Sequence, residues 1–329
     1  MKSTILFLIL FIFIIGCTQK IEQTPEEKPI EEGIITQNQP VPEEEISREM
    51  PDKEEAVEPK EEPKLPNLLN WKKEGVRIQN GVSPFVIIKD NEYYMYYPEK
   101  GIMLARSKDG LNFDKGRIVL EDKDPDFMIS NPAVIKLKNG KYRMFYEKQK
   151  MSGMRDRIIY SAISQDGEKW EIEGERFWDY GDGKLDEKFT SVPDVIKLDD
   201  GTLRMYYCRG LTSAIAESKD EGLTWKKIKN IDLDIYVLDP DIVRLDDGTY
   251  KLFFCTTDDP MLKKQWIALA NSKDGLNFEL ENEKLLMPDS GYNNVVDPEV
   301  IKIGENYRIY YGQAKSPEFG FNIMSAVTT

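Results

Sequence analysis

The chain contains no histidine. That absence excludes a Ser-His-Asp triad, a Cys-His pair and any histidine-ligated zinc site. Acid–base chemistry must therefore come from carboxylates, Tyr, Lys, Arg, Cys or a hard metal ion. Cysteine is scarce, with three in 329 residues, too few for a disulfide framework. Cys208 and Cys255 each fall fifteen residues after a proline-centred motif, at equivalent places in neighbouring repeats. Packed sheets stand ~10 Å apart, whereas bridged cysteines need Cα atoms within ~7 Å, so both read as free, buried thiols. Positive charge is also short: 45 Lys and Arg stand against 59 Asp and Glu, a formal charge of −14. Residues 18–66, with fifteen acids and six bases, carry most of that excess. Nothing in the remainder forms a phosphate-binding surface, and nucleic acid is excluded as a partner. No apolar run is long enough for a comfortable membrane span, the longest being Ile5–Ile15.

What is present falls into three parts. Residues 1–17 have a charged start at Lys2, the short apolar run and a Gly16-Cys17 end, the pattern of a secretion signal. Ile14-Ile15-Gly16-Cys17 resembles the lipobox of prokaryotic lipoproteins. The resemblance implies cleavage before Cys17 and a lipid on its sulfur; an uncleaved N-terminal anchor is the alternative. Either way the expected location is the cell surface, tethered to a membrane. Residues 18–66 hold eight prolines and runs such as Glu43-Glu44-Glu45. With few apolar side chains to offset ordering entropy, they read as a disordered acidic linker.

Residues 67–329 contain one unit five times. Its clearest copy is Asp239-Pro240-Asp241 with the aromatic strand Tyr250–Phe254. The others begin Ser83-Pro84-Phe85, Asn131-Pro132-Ala133, Val192-Pro193-Asp194 and Asp297-Pro298-Glu299. The prolines lie 48, 61, 47 and 58 residues apart, a period that marks a β-propeller. A third strand follows in each unit, and in four it runs into a turn: Ser107-Lys-Asp109-Gly110, Ser164-Gln-Asp166-Gly167, Ser218-Lys-Asp220-Glu-Gly222 and Ser272-Lys-Asp274-Gly275. There Asp bonds the turn backbone and Gly supplies the positive φ. An aromatic follows each turn (Phe113, Trp170, Trp225, Phe278) and marks the expected start of a fourth strand. The fifth unit lacks that strand, and Asn70-Trp71 to Ile78 is the segment that replaces it. The fold expected is an all-β, five-bladed propeller of four antiparallel strands per blade, with the domain's N-terminal strand closing the last blade.

In such a fold the starts of first strands and ends of second strands converge on one channel mouth, where a site would form. Those positions supply Asp194, Asp239, Asp241, Asp297, Glu299, Asn131, Glu147, Arg209 and Gln313. Clustered acids raise one another's pKa. Trp178, Tyr180, Tyr236, Trp266, Tyr292 and Phe319 could stack on sugar faces or pack between blades. The acidic, glycine-bearing segment Asp179–Glu187 lacks calcium-loop spacing. It reads as an insertion over the mouth, and a structural calcium there is the one metal the sequence leaves open.

The blade count, the Asp-Pro-Asp/Glu starts and the Ser-x-Asp-Gly turns together resemble the five-bladed propeller glycosidases, the arabinanase, xylosidase, invertase and levansucrase group. The third turn, with Leu223-Thr224-Trp225, also resembles the Asp-box of sialidases. The glycosidase resemblance implies carboxylates acting on a glycosidic bond. Its three acids would stand at the first-strand starts of blades one to three, where this chain has Ser83, Asn131 and Thr190-Ser191-Val192. A rotated set is the alternative: Asp241 as base or nucleophile, Glu299 as acid and Asp194 as pKa modulator. Asp239, Asp297, Glu147, Arg209, Asn131 and Gln313 would then bind substrate. The expectation is a monomeric, surface-anchored carbohydrate-active protein. A non-catalytic sugar- or protein-binding scaffold, or a sialidase-like hydrolase, are the alternatives.

Overall fold

The computed structural model describes residues 67–152, 156–181, 188–316 and 320–329. The signal, Cys17, the linker, loop residues 182–187 and Phe319 lie outside the described residues. Every regular element described is a strand. The first blade comprises β2 (Phe85–Lys89), β3 (Glu92–Pro98), β4 (Ile102–Ser107) and β5 (Arg117–Leu120). The second comprises β6 (Phe127–Lys136), β7 (Tyr142–Lys150), β8 (Arg157–Ser164) and β9 (Glu171–Phe177). The third comprises β10 (Ser191–Lys197), β11 (Leu203–Cys208), β12 (Ser213–Ser218) and β13 (Lys226–Asn230). The fourth comprises β14 (Leu238–Arg244), β15 (Tyr250–Thr256), β16 (Trp266–Ser272) and β17 (Glu279–Leu286). In the fifth, β18 (Asn294–Ile303), β19 (Asn306–Ala314) and β20 (Asn322–Thr328) are completed by β1 (Trp71–Ile78), which pairs antiparallel to β20. Each sheet has four antiparallel strands, and the innermost strands β2, β6, β10, β14 and β18 touch in a closed ring.

Fourth strands start later than the aromatic that marks them. They begin at Arg117, Glu171, Lys226 and Glu279, because the aromatic belongs to the blade interface rather than to the ladder. Each interface carries one edge-to-face pair between a second strand and the next blade's outer aromatic. The pairs are Tyr96–Trp170, Phe145–Trp225, Tyr206–Phe278, Phe253–Trp71 and Tyr310–Phe113, with centroids 5.3–6.1 Å apart. Such a pair contributes ~0.5–1.5 kcal/mol beyond its buried area. Trp71 takes the place of the outer aromatic that the fifth blade lacks, so ring closure uses the same contact as every other interface.

The Ser-x-Asp-Gly turns hold the other end of these contacts. In the first, Asp109 Oδ1 accepts from the Leu111 and Asn112 amides, and Ser107 Oγ accepts from Gly110 N. Those amide bonds hold the Asp109 carboxyl well below its ordinary range. The turn glycine's carbonyl is then free to accept a tyrosine hydroxyl from the preceding blade: Tyr310 to Gly110, Tyr96 to Gly167 and Tyr206 to Gly275, at 2.7–2.8 Å. In the second blade the equivalent residue is Phe145, without a hydroxyl, and Arg143 bonds the Glu221 carbonyl of the longer third turn instead.

Trp71→Ala removes the closing pair. Trp71 is half-buried, so the expected loss is about 2 kcal/mol, below the ~3–5 of a fully buried aromatic. Urea denaturation of Trp71→Ala beside Lys72→Ala measures it. Equal midpoints for the two variants would contradict the closing role of this ring.

Candidate functional site

The site grows out of one backbone conformation repeated five times. The residue before each motif proline is left-handed: Ser83 at φ 47°, Asn131 at 50°, Val192 at 44°, Asp239 at 47° and Asp297 at 49°. Residues before proline are ordinarily extended, and this region is costly without glycine, most of all for a β-branched side chain such as Val192. In blades two to five the ladder skips over this residue and its proline, from Ser130 to Ala133, Ser191 to Asp194, Leu238 to Asp241 and Val296 to Glu299. Proline has no N–H to lose there. The bulges turn residues of all five triplets toward a central cavity of 30 Å³, room for about one water.

The three post-proline acids lie deepest, and each joins two blades. Asp194 Oδ2 accepts from Ile242 N of the fourth blade at 2.8 Å, and its Oδ1 accepts from Val195 N. Asp241 Oδ2 accepts from Val300 N of the fifth blade at 3.2 Å. Glu299 Oε1 accepts from Val86 N of the first at 2.9 Å, across the ring closure. All three are less than 9 % exposed. Burial pushes Asp194 up to about 6. Burial, then the charges of Glu299 and Asp194, raise Asp241; burial, then Asp194, raises Glu299. Asp241 and Glu299 are neighbours, and each adds to the other's electrostatic surroundings.

The pre-proline acids lie nearer the surface, half-buried. Asp239 and Asp297 are hydrogen-bonded to each other, and Ser83 Oγ donates to Asp297 Oδ2 at 2.9 Å. Burial pushes Asp297 up to about 6, and burial followed by the Asp297 charge raises Asp239. Glu147, 1 % exposed, accepts from Asn131 Nδ2 at 2.7 Å and from Ser191 Oγ. Arg157 Nη1 lies 3.6 Å from its other oxygen. Thus Asp239, Asp297, Glu147 and Asn131 come together with Ser83, Ser191 and Arg157. Ser191, which opens a first strand just before its bulge, and Arg157, which opens a third strand, were not among the expected binding residues. Equivalence along the repeat would have found Ser191, which directly precedes the left-handed residue.

Two other candidates turn elsewhere. Arg209 Nε donates to Asp179 at 3.0 Å and its Nη2 to the Tyr180 carbonyl at 2.7 Å. Gln313 Nε2 donates to Asp289 at 3.0 Å. Asp179 also accepts from Lys227 and Tyr207, so in the segment Asp179–Glu187 this carboxylate serves as an ion-pair hub. Trp266 is buried, donating to the Glu283 carbonyl; Trp178, Tyr236 and Tyr292 are half-buried, and Tyr180 is exposed. Cys208 and Cys255 are free thiols in one apolar cluster. Burial pushes the Cys208 thiol up to about 12.

Two carboxyls that cleave a glycoside need ~5–5.5 Å between them for retention, or ~6.5–9.5 Å for inversion, so that the sugar fits between. Asp239 and Asp297 are neighbours, as are Asp241 and Glu299.

The chain matches no protein-family model and no curated protein. Among solved structures it is similar to a glycoside hydrolase at 17 % identity, TM-score 0.62, covering 78 % of this chain and 91 % of that one. It is similar to the α-L-arabinanase of Cellvibrio cellulosa complexed with arabinohexaose at 14 % identity, TM-score 0.59, covering 77 % and 91 %. A family 117 glycoside hydrolase of Zobellia galactanivorans gives 16 % identity, TM-score 0.60, covering 80 % and 91 %. The chain shares its five-bladed propeller fold with these hydrolases.

The raised carboxyls set the pH dependence of stability. Asp194 and Asp297 titrate near 6 when folded against an ordinary 3.8. From roughly pH 4 to pH 6 the unfolded chain therefore holds fewer protons, and stability falls as pH rises. Tm is expected to be several degrees higher at pH 5 than at pH 7.5, with a flatter profile in Asp194→Asn and Asp297→Asn. A Tm that rises toward pH 7.5 would contradict the burial of these acids. Asp241→Asn keeps an acceptor for Val300 N and should leave stability near native. Asp241→Ala orphans that amide and should cost about 1–3 kcal/mol in urea denaturation.

Proposed function

We propose that this chain is a surface-anchored, glycoside hydrolase-like propeller that binds a carbohydrate at its mouth without the paired-carboxylate cleavage of a glycosidase. One observation carries the reading: its half-buried acids Asp239 and Asp297 stand side by side at the mouth, while the deeper acids tie blade to blade. With one proton between them, Asp239 and Asp297 would together both donate to and accept from sugar hydroxyls. Ser83 and Asn131 add short polar groups beside them. The fold shared with glycoside hydrolases supports a carbohydrate as the ligand class, and the Cellvibrio enzyme's arabinohexaose makes arabino-oligosaccharides a first series to try. A sialidase-like grip on a carboxylate has less support, since Arg209 is engaged by Asp179 and Arg157 stands beside Glu147.

The Gly16-Cys17 signal supports export and a lipid anchor, with the acidic linker as the stalk. Cys17→Ser is expected to move the protein from the membrane fraction to the soluble exported fraction. Retention of that variant on the membrane would contradict lipidation at Cys17.

Binding and the release of new reducing ends, measured together on a panel of arabino-, xylo- and other plant and bacterial oligosaccharides, test the functional reading. The expected outcome is saturable binding without new reducing ends, weakened at least tenfold in Asp239→Asn/Asp297→Asn. Release of reducing ends that disappears in this double variant would instead establish a hydrolase.

A further inference from the structure

Tyr180 is the one aromatic among the large apolar side chains that stand more than 40 % exposed in the described residues, at 52 %. An exposed side chain ordinarily keeps its freedom, yet this one is fixed from several sides. Its ring meets Trp178 edge-to-face at 5.2 Å and 83°. Its carbonyl accepts from Arg209 Nη2 at 2.7 Å, and its backbone pairs with Lys188 in an antiparallel bridge. The neighbouring Asp179 is held harder still. Its carboxylate accepts from Arg209 Nε, Lys227 Nζ and Tyr207 OH at 2.6–3.0 Å. Its N–H donates to Thr190 Oγ1 at 2.6 Å, and its carbonyl accepts from Phe189 N at 2.8 Å. Three donors on one carboxylate are more than a surface turn needs for satisfaction. Their result is a fixed aromatic face.

That face adjoins the mouth. Phe189 leads through Thr190 to Ser191, which bonds Glu147, and to Val192, which lines the central cavity. Arg157 spans the two regions, its guanidinium 4.7 Å from the Phe189 ring and near Glu147. From Lys188 to Val192 is four residues, at most ~13 Å of extended chain, the reach of an oligosaccharide rather than of a single sugar. The surroundings also define the ligand. Lys188 Nζ lies 4.3 Å over the Trp178 ring, so one face of the buttress is covered and Tyr180 offers the open one. Around it stand Lys188, Arg209 and Asp179, hydrogen-bonding groups at the edge of a single ring. A protein partner calls for a contiguous apolar patch. An isolated aromatic with a polar rim suits a sugar, whose C–H face lies on the ring while its hydroxyls meet the edge.

We propose that Tyr180, buttressed by Trp178 and set by the Asp179–Arg209 ion pair, is a stacking platform for an outer unit of a neutral oligosaccharide whose inner unit sits over the x-Pro-x mouth. This rests on the carbohydrate reading above and extends it to a ligand of more than one unit. Arg209 is a positioning residue: it holds the Tyr180 carbonyl and the Asp179 carboxylate and leaves the sugar to the ring.

The test titrates the full chain with neutral arabino-, xylo-, gluco- and manno-oligosaccharides of one to six units, read by calorimetry and by quenching of tryptophan fluorescence. Native protein is expected to bind longer members of one series more tightly than its monosaccharide. Tyr180→Ala should lose that gain, about tenfold in Kd for the longest member, and leave the monosaccharide Kd and the Tm unchanged. Tyr180→Phe should behave as native, and Arg209→Met should reproduce part of the Tyr180→Ala loss. An unchanged chain-length dependence in Tyr180→Ala, or an equal loss for monosaccharide and hexamer, would overturn the platform while leaving the carbohydrate reading intact. Native protein that binds none of the four series at any length overturns the carbohydrate reading, and the platform with it.

Discussion

Five inner strands meet around the central cavity, and in blades two to five each carries a bulge near its start. The left-handed residue before each proline makes that bulge. It also takes two residues out of the ladder, so that backbone amides just beyond it need acceptors from elsewhere. A buried amide without a partner costs as much as a lost hydrogen bond. At Ile242, Val300 and Val86 the acceptor is a carboxylate from the preceding blade. The ring of blades, its closure and the acidity of its centre are thus one solution to one backbone problem.

This accounts for the place of the three post-proline acids. They are the cross-links of the inner ring, and with no cation beside them they carry raised pKa values. One residue further out, on the other side of the proline, Asp239 and Asp297 neighbour each other, with Ser83 bonding Asp297. On the proposed reading, this neighbouring pair meets sugar hydroxyls instead of flanking a glycosidic bond. The outer aromatic at Tyr180 and the mouth pair belong to one face of the disc, joined by the Phe189–Val192 run.

Much of the fold was legible along the chain because its causes are local. Pro84, Pro132, Pro193, Pro240 and Pro298 mark the bulges, the tyrosine-rich second strands alternate as strands do, and Ser-x-Asp-Gly is a turn whose bonds all lie within a few residues. Even the closing strand could be read, since Trp71 matches the outer aromatics of the other blades. The site was legible as a set of positions and not as a set of roles. Arg209 and Gln313 stand at strand ends that open on the mouth, yet they bond Asp179 and Asp289 in connecting segments that no local rule ties to them. Arg157 came into the site from the start of a third strand, and Ser191 from the residue just before a bulge.

The order of residues by itself determined the blade count, the strand periodicity, the turn chemistry and which side chains are ionisable, because each depends on neighbours a few positions away. Only the tertiary structure decided what the acids do. A left-handed residue before proline runs against that residue's own preference, so nothing local announces that Asp239 and Asp241, two positions apart, part company at Pro240. One faces the mouth and pairs with Asp297. The other turns inward to bond an amide fifty-nine residues away in sequence, because only there does the closing ring leave a donor unsatisfied.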